Sequence, residues 1–241
     1  MSHRQRVVIL AAGMGTRLGM PKPKPLTPLA DGRSIMRQQL DNLAAAFGPD
    51  GFDLTVVVGF EAAQVMAAAA DARFVYNERF QSTNTAKSLL KALSKPGDGG
   101  VLWLNGDVVF DERLLHEVLP AIERDESFVC VNTAAVGEEE VKYTASPDGC
   151  IAELSKSVVG GLGEAVGINH IASSDLGALV EHLGSCSDTD YFERGIESAI
   201  EGVGIRVQAL DISAYFVVEV DFAGDLERAN LEVGKTVTSA A

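Results

Sequence analysis

Residues Leu10 to Leu29 read LAAGMGTRLGMPKPKPLTPL: an apolar run entering from Val7 gives way to Gly13 and Gly15, and then to Arg17, Lys22 and Lys24 set among prolines. Val7, Val8, Ile9 and Leu10 are too few for periodicity to decide between strand and helix, but the glycines that follow at once favour a short buried strand. Glycines let a backbone approach an anion closely and turn its N–H groups toward it. In a P-loop or dinucleotide fold a helix opens directly after such a loop and adds its N-terminal dipole. Here Pro21, Pro23, Pro25 and Pro28 oppose that, since proline has no amide hydrogen and a fixed φ; Met20 to Leu29 is therefore expected to run extended. The result is a stiff cationic strap across a glycine loop, suited to a polyphosphate. The GxxxxGK[ST] pattern of a P-loop is absent.

Outward from this segment, strand and helix patterns alternate. Ser34 is placed to cap a helix carrying Met36, Leu40, Leu43 and Phe47. LTVVVGF from Leu54 and a short strand at Phe74 to Tyr76 flank an alanine-rich helix over 61–70, and Ala86, Leu89, Leu90 and Leu93 mark one face of the next helix. VLWLNGDVVF from Val101 reads as a buried strand, followed by a helix around Leu114 to Ile122. After Phe128 three strand-like stretches succeed one another with a Pro147-Asp148-Gly149 turn between two of them, so 126–172 is expected to form a mixed-sheet segment. Strand and helix patterns then resume up to a last helix from Gly224. The alternation predicts an α/β fold: a Rossmann-like, mostly parallel sheet with helices on both faces, forming one domain over 1–235 with a flexible tail at 236–241.

The formal charge of −14 argues against nucleic acid or an anionic membrane as partner, because either needs a cationic face. Cys130, Cys150 and Cys186 are odd in number and lack zinc-ligand spacing, which reads as reduced thiols. The apolar run after MSHRQR is too short for a signal peptide, so a cytoplasmic protein is expected.

GMGTR followed by PKPKPL resembles the signature of the sugar-phosphate and phosphocholine-type nucleotidylyltransferases, which move a nucleoside monophosphate from an NTP onto a phosphate monoester. The short gap between Arg17 and PKPL is more similar to the cytidylyltransferases that act on phosphocholine or phosphonates. The resemblance implies a nucleotide-diphospho-sugar transferase-like fold, CTP and Mg2+ as nucleotide and cofactor, a small phosphate or phosphonate acceptor, and allows a homodimer. It implies a nucleotide site at Leu10, Ala11, Ala12, Gly13, Met14, Gly15, Thr16, Arg17, Lys22, Lys24 and Gly59, with Asn84, Thr85 and Ser88 as one wall of the base pocket. Arg17, Lys24 and Asp107 are the expected catalytic groups. The doubled PKPKPL leaves Lys22 and Lys24 interchangeable.

Ligands of open parallel sheets bind beyond the carboxyl ends of strands. Asp107 after LWLNG and Asp221 after FVVEV stand at such ends, and the resemblance makes them the magnesium ligands, with Glu219 and Asp225 as competitors for the second position. It also assigns acceptor contacts to Lys156, Glu164, Tyr191 and Glu193, and makes 126–172 the acceptor-side insertion. A choline cage needs several aromatic faces, and this chain has one tryptophan and no aromatic cluster, which weakens choline as acceptor. Within the same reaction class the alternative is a sugar-1-phosphate or inositol-1-phosphate nucleotidylyltransferase using CTP, UTP or GTP, and two rivals of another class remain within reach of the sequence. A glycosyltransferase of similar sheet carries a DxD motif after its central strand, where this chain has Asp107-Val108-Val109; a regulatory domain would not need intact Arg17, Lys24, Asp107 and Asp221.

Overall fold

The computed structural model describes residues 4–20, 22–134, 136–137 and 140–239. β1 (Gln5–Ala11), β2 (Phe52–Val58), β3 (Arg73–Tyr76) and β4 (Val101–Asn105) form the parallel half of the central sheet. β6 (Phe128–Asn132) and β10 (Gln208–Asp211) pair in parallel at the far edge, and β9 (Gly163–Ile171) joins the two halves by running antiparallel to both β4 and β6. The strand order is β10-β6-β9-β4-β1-β2-β3, with the hairpin β7 (Lys142–Ala145) and β8 (Ile151–Ser155) extending from β9. A separate two-stranded ribbon pairs β5 (Val108–Phe110) with β11 (Val217–Glu219).

Strand alternation explains the layering, because successive side chains point to opposite faces. Val7, Ile9 and Ala11 of β1, with Leu102 and Leu104 of β4, face a core completed by α1 (Ile35–Phe47) and α4 (Arg113–Glu123). Val8, Leu10, Val101 and Trp103 face the opposite core, closed by α3 (Thr85–Leu93), α5 (Leu176–Ser185) and α6 (Phe192–Val203). There the Trp103 and Phe192 rings meet edge to face at 5.6 Å. Each fully buried aliphatic side chain contributes about 1.5–3 kcal/mol. The short α2 (Ala62–Ala68) follows β2, and α7 (Ala223–Ser239) seats Ala229 and Val233 against Val218 and Val220. Ser34 caps α1 by accepting a hydrogen bond from the Arg37 amide at 3.1 Å.

The structure departs from the sequence reading in four places. The strap is not extended throughout: Lys24–Leu26 forms a 3-10 turn, which Pro25 tolerates because its missing N–H falls at a position with no partner to lose; Pro21 lies outside the described residues. The stretch from Val101 to Phe110 is two strands, since Gly106 and Asp107 turn the chain out of the central sheet. Within 126–172, read as one mixed-sheet insertion, β6 and β9 are members of the central sheet and only β7 and β8 project from it. Finally, α7 continues to Ser239, into the stretch read as a tail, while 240 and 241 lie outside the described residues. Among the described residues no helix is long and apolar enough to cross a membrane.

Candidate functional site

In this order the connections leave β1 toward β2 on one side and β4 lies on the other, so the loops after β1 and β4 meet at a topological switch point. A cleft of about 450 Å3 opens there. The Gly106 amide donates to the Leu10 carbonyl at 2.9 Å, which carries the ladder past β4 and presents Asp107 beside the glycine loop. From the other side Val220 donates to the Asp107 carbonyl at 2.9 Å, and this fixes Asp221 next to it.

Lys24 lies between these two carboxylates. Its Nζ donates to Asp107 Oδ2 at 3.1 Å and to Asp221 Oδ1 at shorter range, with the side chain one-tenth exposed. Burial alone would push the Lys24 ammonium down, but Asp107 and Asp221 outweigh it and hold it above the ordinary lysine value. Arg17 reaches Asp221 Oδ2 at 3.0 Å and lies over the Phe222 ring at 5.6 Å. Two cations therefore meet two carboxylates beside a loop with a left-handed glycine, Gly15, at φ 60°.

Gly15 does more than turn the loop. A Cβ at this position would fall 2.5 Å from Lys24 Cγ, so the lysine stem passes directly over the glycine backbone. Replacing Gly15 with alanine is expected to shift Lys24, lower turnover about 10- to 100-fold, and cost about 1–2 kcal/mol of stability through the left-handed backbone. Steady-state kinetics and urea unfolding check both, and wild-type turnover in the variant would refute the packing argument.

The cleft is lined by Leu10, Ala11, Gly13, Met14, Gly15, Thr16, Arg17 and Lys24 of the loop and strap, by Asn84 and Thr85 at the start of α3, and by Asp107, Lys156, Tyr191, Glu193 and Asp221. Ala12 and Gly59 are set behind the loop: the Ala12 carbonyl accepts from the Phe60 amide at 3.0 Å, and a Cβ on Gly59 would collide with it and with Phe80. Ser88 is buried and accepts a hydrogen bond from Asn77 at 3.0 Å, so it does not share a wall with Asn84, which caps α3. Glu164 Oε2 accepts from the Gly137 amide at 2.9 Å and is not among the lining residues. Lys22 is exposed outside the cleft, which breaks the PKPKPL ambiguity in favour of Lys24 as the lining lysine. His170 is core, stacked on Phe128 and bonded through Nδ1 to the Glu126 carbonyl at 2.8 Å.

Among the lining residues outside the expected set are Glu140, Phe80, Thr83 and Glu219. Glu140 closes a run of three glutamates after Gly137, in a segment without periodicity, and such a charge run reads as solvated surface. Phe80 and Thr83 come from the turn before α3, directly ahead of the expected wall residues Asn84 and Thr85. Glu219, seen only as a competitor of Asp221, accepts a hydrogen bond from Asn105 at 3.1 Å; burial, with Asp107 and two further glutamates nearby, raises its carboxyl well above the usual range. Burial also pushes Glu193 up to about 7, with Glu140 adding to the effect and Lys156 opposing it.

The donor set suits magnesium. Among the described residues no three His, Cys, Asp or Glu side chains gather into a metal cluster, but magnesium needs only one or two carboxylates and takes its other ligands from phosphate and water. Asp107 and Asp221 are two carboxylates brought within reach of one point, the Lys24 ammonium, and so fit that requirement.

Comparison with known proteins agrees with this architecture. The chain is 39% identical over 127 residues to the CMP-5'-(3-aminopropyl)phosphonate synthase of Streptomyces rubellomurinus, covering 49% of this chain and 19% of that protein. It is 44% identical over 103 residues to the bifunctional protein GlmU of Halorhodospira halophila, covering 42% of this chain and 21% of that protein. The chain thus matches about a fifth of the length of these curated relatives. Its fold is similar to the inositol-1-phosphate CTP transferase of T. maritima, with a TM-score of 0.74, 17% identity, and coverage of 92% of this chain and 91% of that one. The CTP:phosphocholine cytidylyltransferase of Streptococcus pneumoniae gives a TM-score of 0.74 at 16% identity, over 95% of this chain and 99% of that one. Residues 7–175, which run from β1 through β9, match the MobA-like NTP transferase domain, and the chain belongs to that family.

Proposed function

We propose that this chain transfers CMP from CTP to a small phosphate or phosphonate monoester and releases pyrophosphate. The observation that carries the proposal is Lys24 held between Asp107 and Asp221 under a glycine loop at the switch point of the sheet. The phosphonate synthase that the chain resembles over half its length supports CTP and a phosphonate acceptor.

The chemistry asks little covalent work of the protein. An acceptor oxygen, already anionic at neutral pH, forms a bond to the α-phosphorus; the α–β bond breaks and pyrophosphate leaves with the electron pair. Catalysis then reduces to positioning and charge neutralisation. The amides around Gly13 and Gly15 receive the triphosphate, Arg17 holds the departing β and γ phosphates, and Lys24 neutralises charge growing at the α-phosphate. Asp107 and Asp221 would hold a magnesium ion, which would supply Lewis-acid neutralisation of phosphate oxygens. Lys156 lines the same cleft, which supports it as the contact for the acceptor phosphate.

Pyrophosphate release measured for the four NTPs against phosphocholine, small phosphonates, glycerol phosphate and sugar 1-phosphates tests this reading. CTP with a small phosphonate is expected to be the active combination. Activity with UTP or GTP and a sugar 1-phosphate, with CTP silent throughout, would replace it by a sugar-phosphate nucleotidylyltransferase.

A further inference from the structure

α6 begins without a cap of its own. The first amides of a helix have no partner inside it, and Tyr191, at the cap position, makes no side-chain hydrogen bond to them. A tyrosine hydroxyl stands too far from its backbone to turn back as serine, threonine, asparagine or aspartate do. The acceptor comes instead from another helix: the Phe192 amide donates to Thr85 Oγ1 at 3.1 Å. Thr85 is the first residue of α3, so one hydroxyl joins the starts of two helices.

The rest of the α3 start is bound to the same connection. Asn84 donates from its backbone amide to the Asp188 carbonyl at 2.8 Å and from Nδ2 to the Thr189 carbonyl at 3.3 Å, while its Oδ1 accepts from the Thr85 amide at 2.9 Å. The Ala86 amide donates to the Asp190 carbonyl at 3.3 Å. Lys87 Nζ donates to the carbonyls of Leu183, Gly184 and Cys186 at the end of α5, where the helix dipole favours a cation. The chain between α5 and α6 is therefore laced to α3 along its whole length. Both polar ends of the Asn84 side chain are taken up in this seam, and the Thr85 oxygen is turned to α6.

Two walls of the cleft meet at the seam: Asn84 and Thr85 line one, Tyr191 and Glu193 the other. Phe192 lies between the last two and is anchored below by its edge-to-face contact with Trp103. The Thr85 hydroxyl holds its backbone from the side. We propose that Thr85 is a positioning residue for the acceptor: its hydroxyl caps α6 from the neighbouring helix and fixes the turn that carries Tyr191 and Glu193. The proposal rests on the transfer reading above, with the acceptor bound at those two side chains, and it moves the role of Thr85 from the base to the acceptor.

Thr85→Val keeps the branched shape and removes the oxygen, Thr85→Ala also removes it, and Thr85→Ser keeps it. The acceptor probe is the phosphonate that releases most pyrophosphate with CTP. In the valine and alanine variants its KM is expected to rise about 3- to 30-fold, as for the loss of one helix cap, with kcat and KM for CTP within about twofold of the unmodified protein. Thr85→Ser should match the unmodified protein in all three. CTP titrated calorimetrically without acceptor should bind every variant alike. Amide exchange gives a readout that needs no substrate: the Phe192 amide should exchange about 3- to 30-fold faster in Thr85→Val and Thr85→Ala, and unchanged in Thr85→Ser. Weaker CTP binding in the valine and alanine variants makes Thr85 a base contact and overturns the proposal. An unchanged acceptor KM in them, or a serine variant as impaired as they are, overturns it too, and each of these results leaves nucleotidyl transfer intact. No pyrophosphate from the unmodified protein with any acceptor overturns the transfer reading and this proposal with it.

Discussion

Replacing Lys24 with methionine is expected to lower turnover by about 10²- to 10³-fold with the fold retained. Methionine keeps the stem that passes over Gly15 and removes the ammonium that stands between Asp107 and Asp221. The loss is large because no neighbour is placed to substitute: Arg17 reaches Asp221 from the half-exposed rim, and Lys22 lies outside the cleft. The same ammonium contributes to stability. Its folded-state pKa is raised, so the contribution is fully present below the ordinary lysine value and fades only as the pH climbs through the raised one. Lys24→Met should therefore be less stable than the unmodified protein by a constant amount from pH 6 to 9. Urea unfolding at several pH values and single-turnover kinetics check the two statements; near-normal turnover would remove Lys24 from the catalytic set.

Asp107→Asn and Asp221→Asn are each expected to lower kcat/KM by about 10²- to 10³-fold and to raise the magnesium concentration giving half-maximal activity. Both carboxylates face one ammonium and, in the proposed reaction, one metal, so they act as a unit. The double variant should be little slower than the slower single variant, well short of the product of the two effects. Fully multiplicative losses would show that the two aspartates work at separate points, contrary to the geometry at Lys24 Nζ.

Much of this site is legible in the sequence because the residues that build it are the ones that interrupt secondary structure. Gly13 and Gly15 end β1, Gly106 and Asp107 end β4, and Asp221 follows β11, so each marks a strand end where an α/β sheet binds its ligands. The choice between Lys22 and Lys24 is not legible, since both are flanked by prolines. It is decided by the 3-10 turn at Lys24–Leu26 and by the space over Gly15, which are products of tertiary packing. Ser88 shows the converse error: a four-residue spacing from Asn84 predicts a shared helix face, but Asn84 is the cap outside the helix and Ser88 turns inward to Asn77. Glu193 enters the expected set only through the resemblance; that it is buried, with one carboxyl oxygen unpartnered among the described residues, is not displayed by the sequence.

In the proposed reaction an acceptor oxygen attacks the α-phosphorus of CTP, and mass spectrometry of the products from an 18O-labelled phosphonate acceptor follows that oxygen. The expected product is a CMP adduct that retains the acceptor's 18O, formed in equal amount with unlabelled pyrophosphate. Free CMP, CDP, or 18O in pyrophosphate would rule out attack at the α-phosphorus by the acceptor.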